Sequence, residues 1–232
     1  MIRFKTILET FIKALFPQRC IVCYKLSVTD SFFCKDCEGK IEPIADRVCT
    51  KCGCEQKRCD CDRFIYHFDG AVACFKNEGQ AKKSFYTFKF GSNISAADYF
   101  VGQMVSIFKR YFSDIKIDLI CYVPLSKTQL KTRQTDKCKL LAEGVSTALQ
   151  IPLKTIIVKR ENVSTQHSLT LDNRFYNVRD AYTVTEKSKN KNVLLIDDIK
   201  TTGATLDACA KELKFAGANS VYCLTVLTGQ KD

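Results

Sequence analysis

The sequence predicts an α/β protein: a mostly parallel sheet flanked by helices, preceded by a small cysteine-rich domain that binds metal. Three observations predict this. Nine of the 14 cysteines fall by residue 61, several in CxxC pairs. Beyond residue 66, short apolar runs alternate with helical periodicities, the pattern of strands joined by crossover helices. One such run, VLLIDDIKTTGAT (Val193 to Thr205), drives into two adjacent acids and then a threonine–glycine loop. The domains are therefore expected at 1–65 and 66–232.

The bulk numbers agree. A chain of 232 residues with 46% hydrophobic content suits one medium domain plus a small one and excludes wholesale disorder. No apolar run reaches the roughly 18 residues that a membrane-spanning helix needs. The N-terminal MIRFKTILETFIKALF has Ile2, Phe4, Ile7, Leu8, Phe11, Ile12 and Leu15 at helical spacing. Glu9 and Lys13 interrupt the apolar core that a secretory signal requires. A short amphipathic helix packed on the rest of the protein is expected, and a cytoplasmic location with it. Residues 1–65 carry 12 Lys and Arg against 9 Asp and Glu; residues 66–232 carry 24 against 16. Eight thiolates on two Zn²⁺ would bring the first part to about −1. The basicity then lies on the larger domain, which favours polyphosphate ligands or nucleic acid.

The cysteines come first in the chain. Cys20, Cys23, Cys34 and Cys37 read CIVC-x10-CKDC. Two thiolates at this spacing grip one ion from a tight turn, and two such turns complete a tetrahedral site. The second cluster reads CTKCGCEQKRCDC. Cys49 and Cys52 form a knuckle, with Gly53 free to take a positive φ. The partners are Cys59 and Cys61, or a set that includes Cys54; one thiol of five is spare. Cys49, Cys52, Cys59 and Cys61 are the favoured set. A disulfide framework in a secreted protein is the competing reading, and the enzyme-like remainder of the chain argues against it. So short a segment has little apolar surface, so Zn²⁺ would supply much of its stability. Cys74, Cys121, Cys138, Cys209 and Cys223 lie in apolar or helical contexts and read as buried small hydrophobes.

The larger domain opens with FDGAVACF as a strand. Helices are expected over about 79–90 and 95–112. IDLICYVPL, from Ile117, is a buried strand running into a proline, followed by one long helix from about Lys127 to Leu149. LKTIIV is a further strand. Residues 159–180 are polar and read as a long loop. Strands AYTV and NVLLI follow, then a helix over 205–216 stopped by Gly217, then strand SVYCLTV.

In such folds ligands bind beyond the carboxyl ends of the strands. Asp197 and Asp198 end one strand; Pro124, Leu125 and Ser126 end another. Thr201, Thr202, Gly203, Ala204 and Thr205 lead into a helix N-terminus, whose N–H groups favour a phosphate. The threonine hydroxyls add donors, and Gly203 permits close approach. The carboxylates accept from neutral hydroxyls. A phosphorylated sugar meets both demands.

The stretch resembles the 13-residue phosphoribosyl-pyrophosphate signature of type I phosphoribosyltransferases. The resemblance implies that Asp197 and Asp198 hold the ribose hydroxyls and that Thr201 to Thr205 hold the 5′-phosphate. It also implies that Val123 to Lys127, including Pro124, Leu125, Ser126 and Lys127, form the pyrophosphate loop, with Mg²⁺ held mainly by the ligand. Purine-type relatives often carry an Asp base where this chain has Thr201, which argues against their nucleobase chemistry here.

The whole chain resembles the ComF family of competence-associated proteins. LFPQRCIVC leads into a double zinc ribbon, and a phosphoribosyltransferase domain follows. Lys89-Phe90-Gly91 fits the family's Lys-aromatic-x-Gly loosely. TQHSLTLDNRFYNVRDAY matches a family pattern at Gln166, Leu169, Arg174, Asn177, Val178, Ala181 and Tyr182. Where members usually carry Arg-Gly-Phe-Asn-Gln, Arg133 is followed by QTDK. Loop 159–180 would close over the ligand as a flexible loop, with Gln166, Arg174, Asn177 and Arg179 as its candidates; a structural loop held by Asn177 and Gln166 is the alternative.

Two functions follow from this. The first is Mg²⁺-dependent phosphoribosyl transfer to an acceptor that the sequence does not name. The second is a binding module in the uptake of transforming DNA, with single-stranded DNA and an uptake helicase as partners. Phosphoribosyl pyrophosphate is then a structural or sensing ligand. Lys127, Lys131, Arg133, Lys137 and Lys139 would track a nucleic-acid backbone. The favoured reading combines binding of phosphoribosyl pyrophosphate with a role in DNA uptake.

Overall fold

The computed structural model describes residues 19–26, 31–44, 48–56, 59, 61, 65–91, 96–132, 135–160 and 180–229. The expected N-terminal helix, Arg133, and the loop residues Gln166, Arg174, Asn177 and Arg179 lie outside the described residues.

The elements are β1 (Gly70–Lys76), α1 (Gly79–Phe90), α2 (Ala96–Phe112), β2 (Leu119–Tyr122), α3 (Lys127–Thr132), α4 (Lys137–Leu149), β3 (Ile157–Lys159), β4 (Tyr182–Val184), β5 (Asn192–Lys200), α5 (Ala204–Phe215) and β6 (Ser220–Thr228). Four strands form one parallel sheet in the order β1-β6-β5-β2. β3 and β4 form a separate antiparallel pair.

Strand alternation decides what covers the sheet. Leu194 and Ile196 of β5 join a cluster with Phe85 and Phe88 of α1, Phe100 and Met104 of α2, and Leu141 of α4. Val193 and Leu195 join the other cluster, with Leu206 and Leu213 of α5 and Ile157 and Tyr182 of the small pair. Both faces are thus covered, as a parallel sheet requires. The two cysteine ribbons divide between these clusters. Ile21 and Ile41 of the first pack in the cluster of α1, α2 and α4. Cys52 and Cys54 of the second pack in the other.

Three elements depart from expectation. The long helix from Lys127 is broken. Asp136 is extended (φ −78°, ψ 99°) and accepts from Lys139 N–H at 3.1 Å, so it caps a new helix. β5 does not end at the acids; Ile199 and Lys200 continue the pairing opposite Leu227 and Thr228 of β6. The LKTIIV strand starts late: Leu153 makes only an isolated bridge to Ile120, and β3 covers Ile157–Lys159. Gly217 is the helix stop expected of it, with φ +94° and its N–H on the Lys214 carbonyl at 2.9 Å.

Candidate functional site

The carboxyl edge of the sheet brings β5, the loop after β2 and the start of α5 together. Val123 N–H donates to the Ile196 carbonyl at 2.9 Å, so the 123–126 segment runs beside Asp197. Asp197 is buried, and its Oδ1 accepts from Asp198 N–H at 2.8 Å. Its carboxyl lies well above the usual range: burial disfavours the anion first, and the Asp198 charge adds to this. Asp198 is partly exposed, and its Oδ2 lies 2.6 Å from Lys89 Nζ of α1. Asp136 is the third carboxylate in this field. Burial raises it, and so does Asp198. Three carboxylates and one lysine therefore meet at one edge.

The loop after the acids turns on Gly203. Its φ of +83° is left-handed and serves as the N-cap geometry of α5. Thr202 Oγ1 accepts from Ala204 N–H at 3.3 Å, so this hydroxyl braces the turn as well as lining it. Thr201, Thr202 and Thr205 are half-buried, while Gly203 and Ala204 are buried. Asp207, an acid in the first turn of α5, is turned aside: its Oδ2 lies 3.0 Å from His67 Nδ1, and its other oxygen accepts from His67 N–H.

The 123–127 loop bonds to the start of α3. Ser126 Oγ accepts from Gln129 N–H at 3.2 Å, and Gln129 Oε1 accepts from Ser126 N–H at 3.1 Å. This reciprocal pair is a capping box at the start of α3, written in the sequence as SKTQ. Pro124 and Leu125 are half-buried, and Lys127 is exposed.

The basic run 127–139 is not one continuous surface. Lys127 and Lys131 are exposed on α3. Lys139 is exposed and lies 3.7 Å from Glu143. Lys137 is buried, with Nζ 5.1 Å from the Phe88 ring centroid, and burial lowers its pKa. The expectation that Lys137 contacts a nucleic-acid backbone is therefore corrected: the break at Asp136 turns it inward.

Both cysteine quartets assemble. The sulfurs of Cys20, Cys23, Cys34 and Cys37 lie within 4.8 Å of one another, and so do those of Cys49, Cys52, Cys59 and Cys61. Zinc–sulfur bonds of about 2.3 Å in a tetrahedron require sulfur–sulfur edges of about 3.8 Å. Cys23–Cys34 at 3.6 Å, Cys49–Cys61 at 3.7 Å and Cys52–Cys59 at 3.8 Å fit that edge. Burial opposes the Cys20 thiolate, but the N–H groups of Cys23, Cys34 and Val22 outweigh it and hold the thiol at about 6. At Cys49 the balance is similar, with Cys52 N–H foremost among the donors, and the thiol sits at about 7. Gly53 takes φ +75° as the knuckle demands. Cys54 stands outside the quartet, buried, with its sulfur 3.5 Å from Lys200 Nζ.

Sequence reasoning did not place Lys89, Asp136, Lys200, Cys54 or Tyr66 beside the site. Lys89 stood out only within Lys89-Phe90-Gly91 and Cys54 only as a spare thiol, while Asp136 carried the signal of an acid placed before a helical run.

A double zinc ribbon domain model matches residues 11–66, and a phosphoribosyl transferase domain model matches residues 135–232. The chain is thus a double zinc ribbon joined to a domain of the type I phosphoribosyltransferase fold. It is 25% identical over 209 residues to competence protein ComFC of Bacillus subtilis, covering 85% of each chain. It is 27% identical over 229 residues to competence protein F of Haemophilus influenzae, covering 89% of this chain and 95% of that one. The chain is thus similar to these competence proteins along most of its length and carries both matched domains in order. Among solved structures, it is similar to a B. subtilis glutamine phosphoribosylpyrophosphate amidotransferase, with 20% identity and a TM-score of 0.41. That match covers 61% of this chain and 30% of that one.

Proposed function

We propose that the edge formed by Asp197, Asp198 and Thr201 to Thr205 binds phosphoribosyl pyrophosphate with Mg²⁺, and that the protein serves the uptake of transforming DNA. One observation carries the binding half. Two carboxylates stand directly before a left-handed glycine turn that opens α5. The turn offers N–H groups to a phosphate, and the acids offer acceptors to ribose hydroxyls. Asp136, Asp197 and Asp198 are oxygen donors of the kind a hard cation takes, alongside the ligand's own phosphates. The competence names of the relatives support the second half. Exposed Lys127 and Lys131 beside the 123–126 loop favour single-stranded DNA as a partner.

The test is calorimetric titration with phosphoribosyl pyrophosphate and Mg²⁺, comparing wild type with Asp197→Ala/Asp198→Ala. Binding by the wild type and its loss in the variant support the reading; a wild type that takes up no ligand removes it. A screen of acceptors for pyrophosphate release decides whether the chain also transfers the phosphoribosyl group. Transformation frequency in a deletion strain, complemented by wild type or by the double variant, tests the uptake role.

A further inference from the structure

The floor of the 201–205 turn is built by the second ribbon. Lys200 closes β5 and is only 3% exposed, yet its ammonium donates to Cys54 Sγ at 3.5 Å. A Cβ placed on Gly203 would lie 3.3 Å from Lys200 Cε and 3.3 Å from Tyr66 Cε1, so both side chains lie directly against the turn. The Tyr66 hydroxyl donates to the Thr202 carbonyl at 3.4 Å, and its ring stacks on Phe68 at 4.5 Å. Tyr66, Cys52 and Cys54 share one buried cluster. The knuckle is fixed in turn: Cys49 N–H donates to the Cys54 carbonyl at 2.8 Å, and Gly53 N–H to the Cys49 carbonyl at 2.7 Å. The path from a zinc ligand to the turn is therefore a continuous set of contacts: Cys52, Gly53, Cys54, Lys200, Gly203.

We propose that the second zinc ribbon is a working part of the ligand site. Cys54 acting through Lys200, and Tyr66 acting on Thr202 and Gly203, hold the 201–205 turn in its phosphate-accepting shape. Metal occupancy at Cys49, Cys52, Cys59 and Cys61 and affinity for the phosphoribosyl ligand then rise and fall together. The inference rests on the reading that this turn takes the 5′-phosphate. Its physical basis is twofold. A buried ammonium must keep a partner, so moving Cys54 moves Lys200. A knuckle without its metal loses the constraint that places Cys54. Coupling of this kind is reciprocal, so bound ligand must tighten the ribbon's hold on zinc. Lys200, Cys54 and Tyr66 are positioning residues here.

The experiment uses the full chain with zinc bound. Phosphoribosyl pyrophosphate with Mg²⁺ is titrated into wild type, Lys200→Met, Cys54→Ala and Cys54→Ser, with zinc content measured for each. Zinc loss to a chromophoric chelator is followed with and without saturating ligand. Lys200→Met and Cys54→Ala are expected to bind about five- to fifteenfold more weakly while keeping two zinc ions. Cys54→Ser, which retains an acceptor for the ammonium, is expected within about threefold of wild type. Ligand should slow zinc loss from wild type and do so far less in Lys200→Met. Wild-type affinity in both Lys200→Met and Cys54→Ala overturns the coupling and leaves the phosphate reading standing. An equal loss in Cys54→Ser and Cys54→Ala also overturns it, because the thiol would then act by packing alone. If a variant sheds its zinc, the wild-type release rates decide: no ligand effect on them sinks the coupling. A wild type that binds no ligand removes both this inference and the reading beneath it.

Discussion

Lys89 Nζ lies 2.6 Å from Asp198 Oδ2, tying the last turn of α1 to the carboxyl edge of β5. Both side chains are mostly buried, at 15% and 16% exposure. The pair occupies one carboxylate oxygen, and a carboxylate has about four acceptor sites across two oxygens. Capacity for a sugar hydroxyl is therefore left, and the rotamer of Asp198 is held. Lys89 also offsets the charges of Asp197 and Asp198 at a site proposed for an anionic ligand. Lys89→Met is accordingly expected to weaken phosphoribosyl pyrophosphate binding about tenfold, read by calorimetry. Tighter binding in that variant would mean the lysine blocks the site.

Asp197 makes the complementary case. Burial first, and then the Asp198 charge, raise its carboxyl well above the usual range, while Asp198 N–H and Lys89 pull the other way. A raised folded-state pKa means that the folded chain takes up the proton before the unfolded one. Stability from this group is fully present below the unfolded value, near pH 4, and is lost as pH rises through the folded value. Ligand affinity should run oppositely, because the anion accepts hydroxyls and favours Mg²⁺. Asp197→Asn is expected to raise Tm at neutral pH by about 2–4 °C. The same variant should cut ligand affinity at least about tenfold. A variant that loses stability at neutral pH contradicts this account.

Gly203 and Gly217 separate strain from function. Both need positive φ, +83° and +94°, and at both an added Cβ would meet a neighbour at 3.3 Å. At Gly203 those neighbours are Lys200 and Tyr66; at Gly217 the neighbour is the Lys189 backbone. Alanine at either position is expected to cost about 1–3 kcal/mol, read from denaturant midpoints. Only Gly203→Ala should also abolish ligand binding. Loss of binding in Gly217→Ala at a temperature where it stays folded would break the distinction.

What was legible in the sequence was what is written locally. Short continuous apolar runs marked the strands, and CxxC spacing marked the quartets, because both patterns are complete within a few residues. The acids and the glycine turn were legible for the same reason. The broken helix was not, although Asp136 is an ordinary N-cap, because apolar periodicity alone does not count caps. The extension of β5 through Lys200 depends on pairing with β6, which no local pattern states. The contacts of Lys89 with Asp198 and of Lys200 with Cys54 join residues far apart in the chain and follow from topology.

The two ribbons pack in different clusters of the core, which makes their metals separately testable. Ile21 and Ile41 sit with α1, α2 and α4, whereas Cys52 and Cys54 sit with α5 and the β3–β4 pair. Elemental analysis of the purified chain is expected to give two zinc ions. Cys59→Ser or Cys61→Ser should lower the count to one, and Cys54→Ser should leave two, because its sulfur lies outside the quartet. Loss of either ion frees thiolates that are crowded within 4.8 Å and releases the turns that present apolar side chains to the core. Tm should therefore fall by at least about 4 °C in Cys23→Ser and in Cys59→Ser alike. Cys54→Ser that dropped to one zinc would place Cys54 among the ligands and reassign the second site.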